Sequence, residues 1–235
     1  MPPQYFIPPE NIKNGFFLAE PSESHHISSV ARNKKGNEIE IFDGAGNKYS
    51  AVIEDIKRNR VSGRIAGRIP FEKPGTRVIL CFAVVSRKSM EFIFEHCTEL
   101  GVSAFQPVLT ERTQFKTDNW NARAEHLNRI IISACKQCGN PLLPELSAPR
   151  AFADLFDEFM PIFVAHCRGA VLKPARNLKS LKVFIGPEGG FSADELKLAE
   201  AKGAVFFSLG RHVLRSETAC IAATALLTNL LEETG

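Results

Sequence analysis

Apolar and polar positions change their period once along this chain. Up to about residue 70 they alternate. Residues 38–42 alternate, the turn run Asp43-Gly44-Ala45-Gly46-Asn47 follows, and residues 48–53 return, which predicts a β-hairpin. Residues 60–69 alternate throughout, with Val61, Gly63, Ile65, Gly67 and Ile69 on one face and Arg60, Ser62, Arg64, Ala66 and Arg68 on the other. A short helix over 22–31 interrupts the strands. Several short strands in so small a segment predict a compact β-barrel over residues 1–70. Phe71-Glu72-Lys73-Pro74-Gly75 punctuates the chain and reads as a linker over 71–75.

The second domain is expected over 76–235. Residues 78–85 are continuously apolar, as in a strand buried on both faces. A helix follows with Met90, Ile93, Phe94 and Cys97 on one stripe, ended by Gly101. Residues 102–108 predict the next strand, and Leu127, Ile131, Ala134 and Cys138 mark a second amphipathic helix. Further strands are expected at 162–165, 183–185 and 205–209. A last helix over 217–232 turns Ala219, Ala222, Ala223, Leu226 and Leu230 inward. Alternating strands and helices predict a mainly parallel α/β sheet.

Composition narrows this little. The chain has 235 residues, 44% of them hydrophobic, and a net charge of +3. That charge is too small to announce nucleic acid by itself, so any RNA site is expected to be a local patch. No apolar run reaches the length of a membrane span. The N-terminus lacks the features of a signal peptide, so a cytoplasmic location is expected. Cys135-Lys136-Gln137-Cys138 is formally C-x-x-C, but no second ligand pair stands at suitable spacing. The six cysteines therefore read as free thiols, mostly buried, and no metal is expected.

The chemistry concentrates near the C-terminus. Ile185-Gly186-Pro187-Glu188-Gly189-Gly190-Phe191-Ser192 and Leu209-Gly210-Arg211-His212-Val213-Leu214-Arg215-Ser216-Glu217-Thr218-Ala219 each follow a short apolar run and end in a serine placed to cap a helix. Ser192 with Glu195 fits a capping box. Two such loops at the carboxyl ends of neighbouring strands would form a ligand crevice. Neither matches a P-loop or a dinucleotide fingerprint, and Glu188 disfavours a phosphate. A ligand with a cationic centre and a hydrogen-bonding base suits the loops better. The alternative is a pair of tight turns without a ligand.

These two motifs, I-G-P-E-G-G-F-S-x-x-E and L-G-x-x-x-L-R-x-E-T-A, closely resemble the signature of the bacterial 16S ribosomal RNA uridine-N3 methyltransferases of the SPOUT superfamily. The similarity extends over most of the chain, including His25-His26, residues 38–44, Lys88, residues 99–102, Thr110-Glu111-Arg112 and the helix holding Ala134 and Gln137. The resemblance implies a PUA-like RNA-binding barrel followed by a SPOUT-type α/β domain with a C-terminal trefoil knot. Periodicity shows no knot, and connection rules argue against one by default. It further implies a homodimer acting on 16S ribosomal RNA or the small ribosomal subunit, with S-adenosylmethionine as methyl donor.

By resemblance, Gly186, Pro187, Glu188, Gly189, Leu209, Gly210, Leu214, Thr218 and Ala219 line the cofactor site, with His166 at a strand end as a further candidate. Arg215, Glu217 and Arg112 are the candidate catalytic residues. Arg215 could stabilise a uridine anion developing on O2 or O4, or merely pair with Glu217 or Glu188. Glu217 could orient Arg215, or simply favour the helix dipole. Arg112 could hold a target phosphate or base, or be a solvated loop residue. Arg32, Arg60, Arg64, Arg68, Lys88 and Arg112 are the candidate RNA contacts. The arginine row at 60, 64 and 68 could straddle phosphates, or protect a charged edge strand.

The sequence departs from the family pattern at Gly139-Asn140, His212-Val213 and Arg32. The first two changes remove positive charge near the expected RNA face. Two rival functions stay open. One is a SPOUT methyltransferase acting on another RNA or on a ribose 2′-hydroxyl. The other is a non-catalytic RNA-binding ribosome-assembly factor.

Overall fold

A computed structural model describes residues 3–57, 60–114, 119–156, 160–172 and 178–232. The chain divides into two compact units, one of residues 1–73 with 132–143, the other of 74–131 with 144–235.

The first unit holds β1 (Gln4–Phe6), β2 (Ile12–Lys13), β3 (Phe16–Leu18), α1 (Pro21–His25) running into a π-helical turn over His26–Val30, β4 (Glu38–Phe42), β5 (Lys48–Lys57) and β6 (Arg60–Ile69). The sheet order is β1-β4-β5-β6-β3-β2, antiparallel except for the β1–β4 pair. The expected hairpin forms, with Asp43 Oδ1 accepting from the N–H groups of Ala45 and Asn47 in its turn. The alternation along β6 is realised: Val61 and Gly63 are buried, while Arg60, Arg64 and Arg68 are exposed. β6 is paired on both sides, by β5 and by β3. A protected sheet edge therefore does not account for Arg64, which β3 covers. Tyr5, Ile7, Phe17, Ile27, Ile41, Ile53 and Val61 form the core of this unit.

Residues 132–143 belong with this first unit, whereas the sequence pattern left them with the second. The cause is local hydrogen bonding. Gly46 N–H donates to Pro141 O, Leu143 N–H donates to Gly44 O, and Ala45 bridges Leu142, so the strand-like segment at 141–143 extends the hairpin turn. Lys136 adds a charged tie. Its ammonium pairs with Glu23 at 2.8 Å, approaches His26 Nδ1 at 3.2 Å and lies 5.8 Å from the centre of the Tyr5 ring. Glu23 is further satisfied by the N–H of Phe6 at 3.2 Å. A largely buried pair of this kind needs such extra bonds to offset desolvation.

The second unit alternates strand and helix: β7 (Arg77–Ala83), α2 (Arg87–Glu99), β8 (Ala104–Leu109), α3 (Trp120–Cys138, whose residues from 132 onward belong to the first unit), β9 (Glu145–Leu146), β10 (Arg150–Ala151), β11 (Ile162–Val171), β12 (Ser180–Ile185), α4 (Ala193–Ala201), β13 (Val205–Ser208) and α5 (Ser216–Glu232). The order is β10-β8-β7-β12-β11-β13, with β9 also on β8, and every pairing is parallel. Two-residue strands such as β9 and β10 carry no readable period. α5 follows the edge strand β13 yet packs on α2, β7 and β12. Its buried stripe is Ala219, Cys220, Ala223, Thr224 and Leu227, whereas Ala222, Leu226 and Leu230, expected inward, are half-buried. The helix is turned from the expected stripe because Cys220 and Thr224 accept full burial, with Thr224 Oγ1 donating to Cys220 O at 2.8 Å.

β11 runs past its expected end. Ala165 and Ala170 both pair with Phe207, so residues 166–169 form an excursion inside the strand. Gly169 makes this fit: a Cβ there would lie 2.3 Å from the Phe207 backbone. The excursion carries His166 and Cys167.

Candidate active site

The carboxyl ends of β12 and β13 and the excursion within β11 open into one cavity of about 380 Å³. Its wall comes from the β11 excursion, the glycine loop after β12, the loop before α5 and Arg112 from the loop after β8. The volume suits a small-molecule ligand. Much of the lining is backbone, which gives donors and acceptors with little side-chain bulk.

Each loop is held for a visible reason. Phe191 is buried, its ring 5.0 Å from that of Phe152, so the glycine loop is anchored at its far end. Ser192 caps α4: its Oγ accepts from Glu195 N–H at 3.2 Å, and Glu195 Oε2 accepts from Ser192 N–H at 2.8 Å. This is the capping box the sequence predicts. Gly190 takes φ +67, a conformation that favours glycine. Ser216, expected as a cap, is already the first residue of α5. Its Oγ donates instead to Gly186 O at 3.1 Å and ties the two C-terminal loops together. Arg112 Nη1 donates to Gly189 O at 2.6 Å, which brings the β8 loop onto the glycine loop.

The structure gathers ten of the sequence-named residues on this cavity: Arg112, His166, Gly186, Pro187, Glu188, Gly189, Leu209, Gly210, Leu214 and Ala219. Arg215, Glu217 and Thr218 are not on its wall. Arg215 and Thr218 are exposed and Glu217 is half-buried, although Leu214 and Ser216, on either side of Arg215, do line the cavity. Gly190, His212, Val213 and Ser216, which the two motifs span, also line it, as does Ala165 beside His166; Cys167, Ile185, Phe191 and Ser208 line it without having been placed at the site. Most of these lie next to a named residue, and proximity to the motif was the available signal. Cys167 was not foreseen, because the strand excursion exposes a thiol that the apolar run suggested was buried.

Of the RNA candidates, Arg32 and Lys88 are exposed, Arg32 at φ +56 after the π-helical turn and Lys88 in the first turn of α2. Arg64 Nε lies 3.5 Å from Glu54, and Arg68 is hydrogen-bonded to Asn47.

Among the described residues no cluster of His, Cys, Asp and Glu could hold a metal. Burial pushes the thiols of Cys97 and Cys135 up to about 12, so both stay protonated at neutral pH. No helix among the described residues is long and apolar enough to cross a membrane.

The sequence profile of an RNA methyltransferase domain matches residues 72–228. The chain belongs to this RNA methyltransferase family. The profile of an RNA methyltransferase PUA domain matches residues 18–66, within the first unit. The "Ribosomal RNA small subunit methyltransferase E" of Synechocystis is 31% identical over 96% of this chain and 77% of its own length. Among solved structures, a Legionella pneumophila protein with bound S-adenosylmethionine superimposes with a TM-score of 0.88 at 29% identity, over 97% of this chain and 98% of that one. The ribosomal RNA small subunit methyltransferase E from Neisseria gonorrhoeae, bound to S-adenosylmethionine, gives 0.88 at 27% identity, over 98% of each chain.

The cavity fits such a donor on its own terms. The loop after β12 is a cradle that side chains would fill: a Cβ on Gly186 would come within 3.2 Å of the Phe191 ring. Glu188 places a carboxylate on the wall, the sign of charge a sulfonium needs.

Proposed function

We propose that this protein is an S-adenosylmethionine-dependent ribosomal RNA methyltransferase that modifies N3 of a uridine in the 16S RNA of the small subunit. The observation that carries this is the cavity at the ends of β12 and β13 and the excursion of β11, walled by glycine-loop backbone and closed at one side by Arg112. Membership of the RNA methyltransferase family and the likeness to donor-bound structures support it.

When bound, S-adenosylmethionine supplies an electrophilic methyl carbon. Gly186, Pro187, Gly189, Leu209, Gly210, Leu214 and Ala219 hold the donor largely through backbone and exclude water from it. Glu188 favours its cationic centre. The chain must then position the base, and positioning alone can remove much of a barrier. Uridine N3 would lose its proton to water, spreading negative charge onto O2 and O4, and the methyl group would pass to N3 as its bond to the donor's sulfur breaks and a neutral thioether leaves. Arg112 at the rim and Arg215 at the mouth of α5 are the cations available to meet that charge or the neighbouring phosphates. Glu217, the second residue of α5, orients Arg215.

Residues 1–70 act as a PUA-like RNA-binding module, 71–75 as a linker and 76–235 as the methyl-transfer domain. Exposed Arg32, Arg60, Arg64, Arg68 and Lys88 contribute phosphate contacts. The return of α5 from the edge strand β13 to β7 and α2 is what a C-terminal trefoil knot requires, and we read the segment as knotted. The enzyme works as a homodimer in the cytoplasm and uses no metal.

Nucleoside mass spectrometry of 16S RNA from cells with and without the gene tests this reading. Loss of N3-methyluridine is expected. Loss of a 2′-O-methyl mark would move the assignment to ribose methylation, and an unchanged profile with no donor binding would leave only an RNA-binding factor.

A further inference from the structure

The cavity leaves unexplained a phenyl ring on the outer face of β3. Phe16 is 54% exposed, while its strand neighbour Phe17 is buried. The strand register places Lys13 opposite Phe16 and Phe16 opposite Arg64. Three neighbouring strands thus present cation, ring and cation in one row. Strand spacing sets the two outer backbones about 10 Å apart.

The row is preordered. Lys13 and Phe16 flank the two-residue turn Asn14-Gly15, where φ is +52 and +79, the signs a type I′ hairpin turn demands. Gly15 O accepts from Ile65 N–H at 2.7 Å, which fastens the hairpin tip to β6. Beside the ring lies a groove of about 460 Å³, lined among others by Glu10, Asn11, Lys13, Leu18 and Glu54. Glu54 is 3.5 Å from Arg64, an exposed contact that holds the guanidinium weakly. The two carboxylates make the groove wrong for a phosphate. They suit the N–H donors along the edge of a nucleobase. Phosphates belong at Lys13 and Arg64, on either side.

We propose that Phe16 is a stacking platform for one unpaired nucleobase of the RNA substrate, with Lys13 and Arg64 on its flanking phosphates. Aromatic rings between cations are the usual means of gripping single-stranded RNA. On β2, β3 and β6 the exposed large hydrophobic residues among those described are Phe16 and Leu18, a patch too small and too ringed by charge for a protein partner. The proposal rests on the RNA methyltransferase reading, and it adds a contact distant in sequence from the cavity motifs.

The test uses the full-length protein with mixed-sequence single-stranded oligoribonucleotides and with small subunits from cells lacking the gene. Phe16→Ala and Phe16→Leu are expected to weaken RNA binding by about 5- to 150-fold, with an unchanged dependence on salt. Lys13→Ala and Arg64→Ala should each reduce the salt slope by about 1. Phe16→Trp should keep wild-type affinity, and its added emission over the Trp120 background should be quenched by RNA. S-adenosylmethionine affinity should be the same in every variant. Wild-type RNA binding by Phe16→Ala and Phe16→Leu overturns the platform and leaves the methyltransferase reading intact. So does a defect seen only with subunits, which would mark a protein contact. Failure of the wild type to bind either RNA or subunits overturns both.

Discussion

Glu195 and Glu111 are joined through a carboxylate oxygen: Oε1 of Glu195 accepts the backbone N–H of Glu111 at 2.9 Å. Its other oxygen accepts from Ser192 N–H. One side chain therefore caps α4 and holds the loop that carries Arg112. An amide cannot accept from both. Glu195→Gln should keep the cap and lose the grip on Glu111. The expected result is a loss of about 1 kcal/mol in stability and a fall of about tenfold in kcat/KM, with donor affinity nearly unchanged. Thermal melts, calorimetry and steady-state methyl transfer check this.

Two glycines should respond oppositely to alanine. At Gly189 a Cβ would lie 3.5 Å from Arg112 Cδ, an ordinary contact, so Gly189→Ala should fold and bind the donor. At Gly169 the same atom would strike the Phe207 backbone, and Gly169→Ala should cost about 2 kcal/mol or more as β11 and β13 separate. Denaturant unfolding separates the cases. Gly189→Val is a stronger perturbation that should block donor binding, read by calorimetry on the folded protein.

Arg215 and Arg112 should differ in what they lose. Arg215 is off the cavity wall, so Arg215→Ala should lower turnover far more than donor affinity. Arg112 anchors Gly189 O, so Arg112→Ala should weaken donor binding as well as turnover, by roughly three- to tenfold for the former. Isothermal titration and single-turnover rates distinguish the two patterns.

Stability should fall in mild acid. Burial first, and then the charge of Lys136, hold His26 below its ordinary value of 6.5, while Glu23 acts the other way. The unfolded chain then takes up the proton before the folded one does. His26 thus contributes stability that is present above about 6.5 and is lost as pH drops through its lowered folded value. His26→Asn should flatten the pH dependence of melting in that window.

Cys167 should be the thiol alkylated first under native conditions. Cys81, Cys97, Cys135 and Cys220 are buried, Cys138 is half-buried, and Cys167 is exposed on the cavity wall. Peptide mapping after brief treatment with N-ethylmaleimide checks the order. S-adenosylmethionine should protect Cys167 and leave the slower sites unaffected.

Much of the fold was legible because periodicity reports burial. The β6 alternation, the α2 stripe and the Ser192–Glu195 capping box needed only local pattern. What was hidden is tertiary. The rotation of α5 depended on Cys220 and Thr224 tolerating full burial, which no hydrophobicity pattern states. The β11 excursion is visible only when β13 is laid beside it. The site motifs located the cavity wall well, since a glycine loop at a strand end is a local feature. Where Arg215 and Thr218 come to rest relative to that wall depended on the path of the chain into α5.

The tie between Lys136 and Glu23 bears on how such a gene could be rearranged. The N-terminal module is not an interchangeable bead, because one of its supports is encoded some sixty residues downstream, within the following domain. Excised at Lys73, it would inherit a carboxylate without its ammonium and a hairpin tip without its extra strand. Recombination that shuffles this module would therefore have to carry along the tail of α3 or re-evolve a substitute for it.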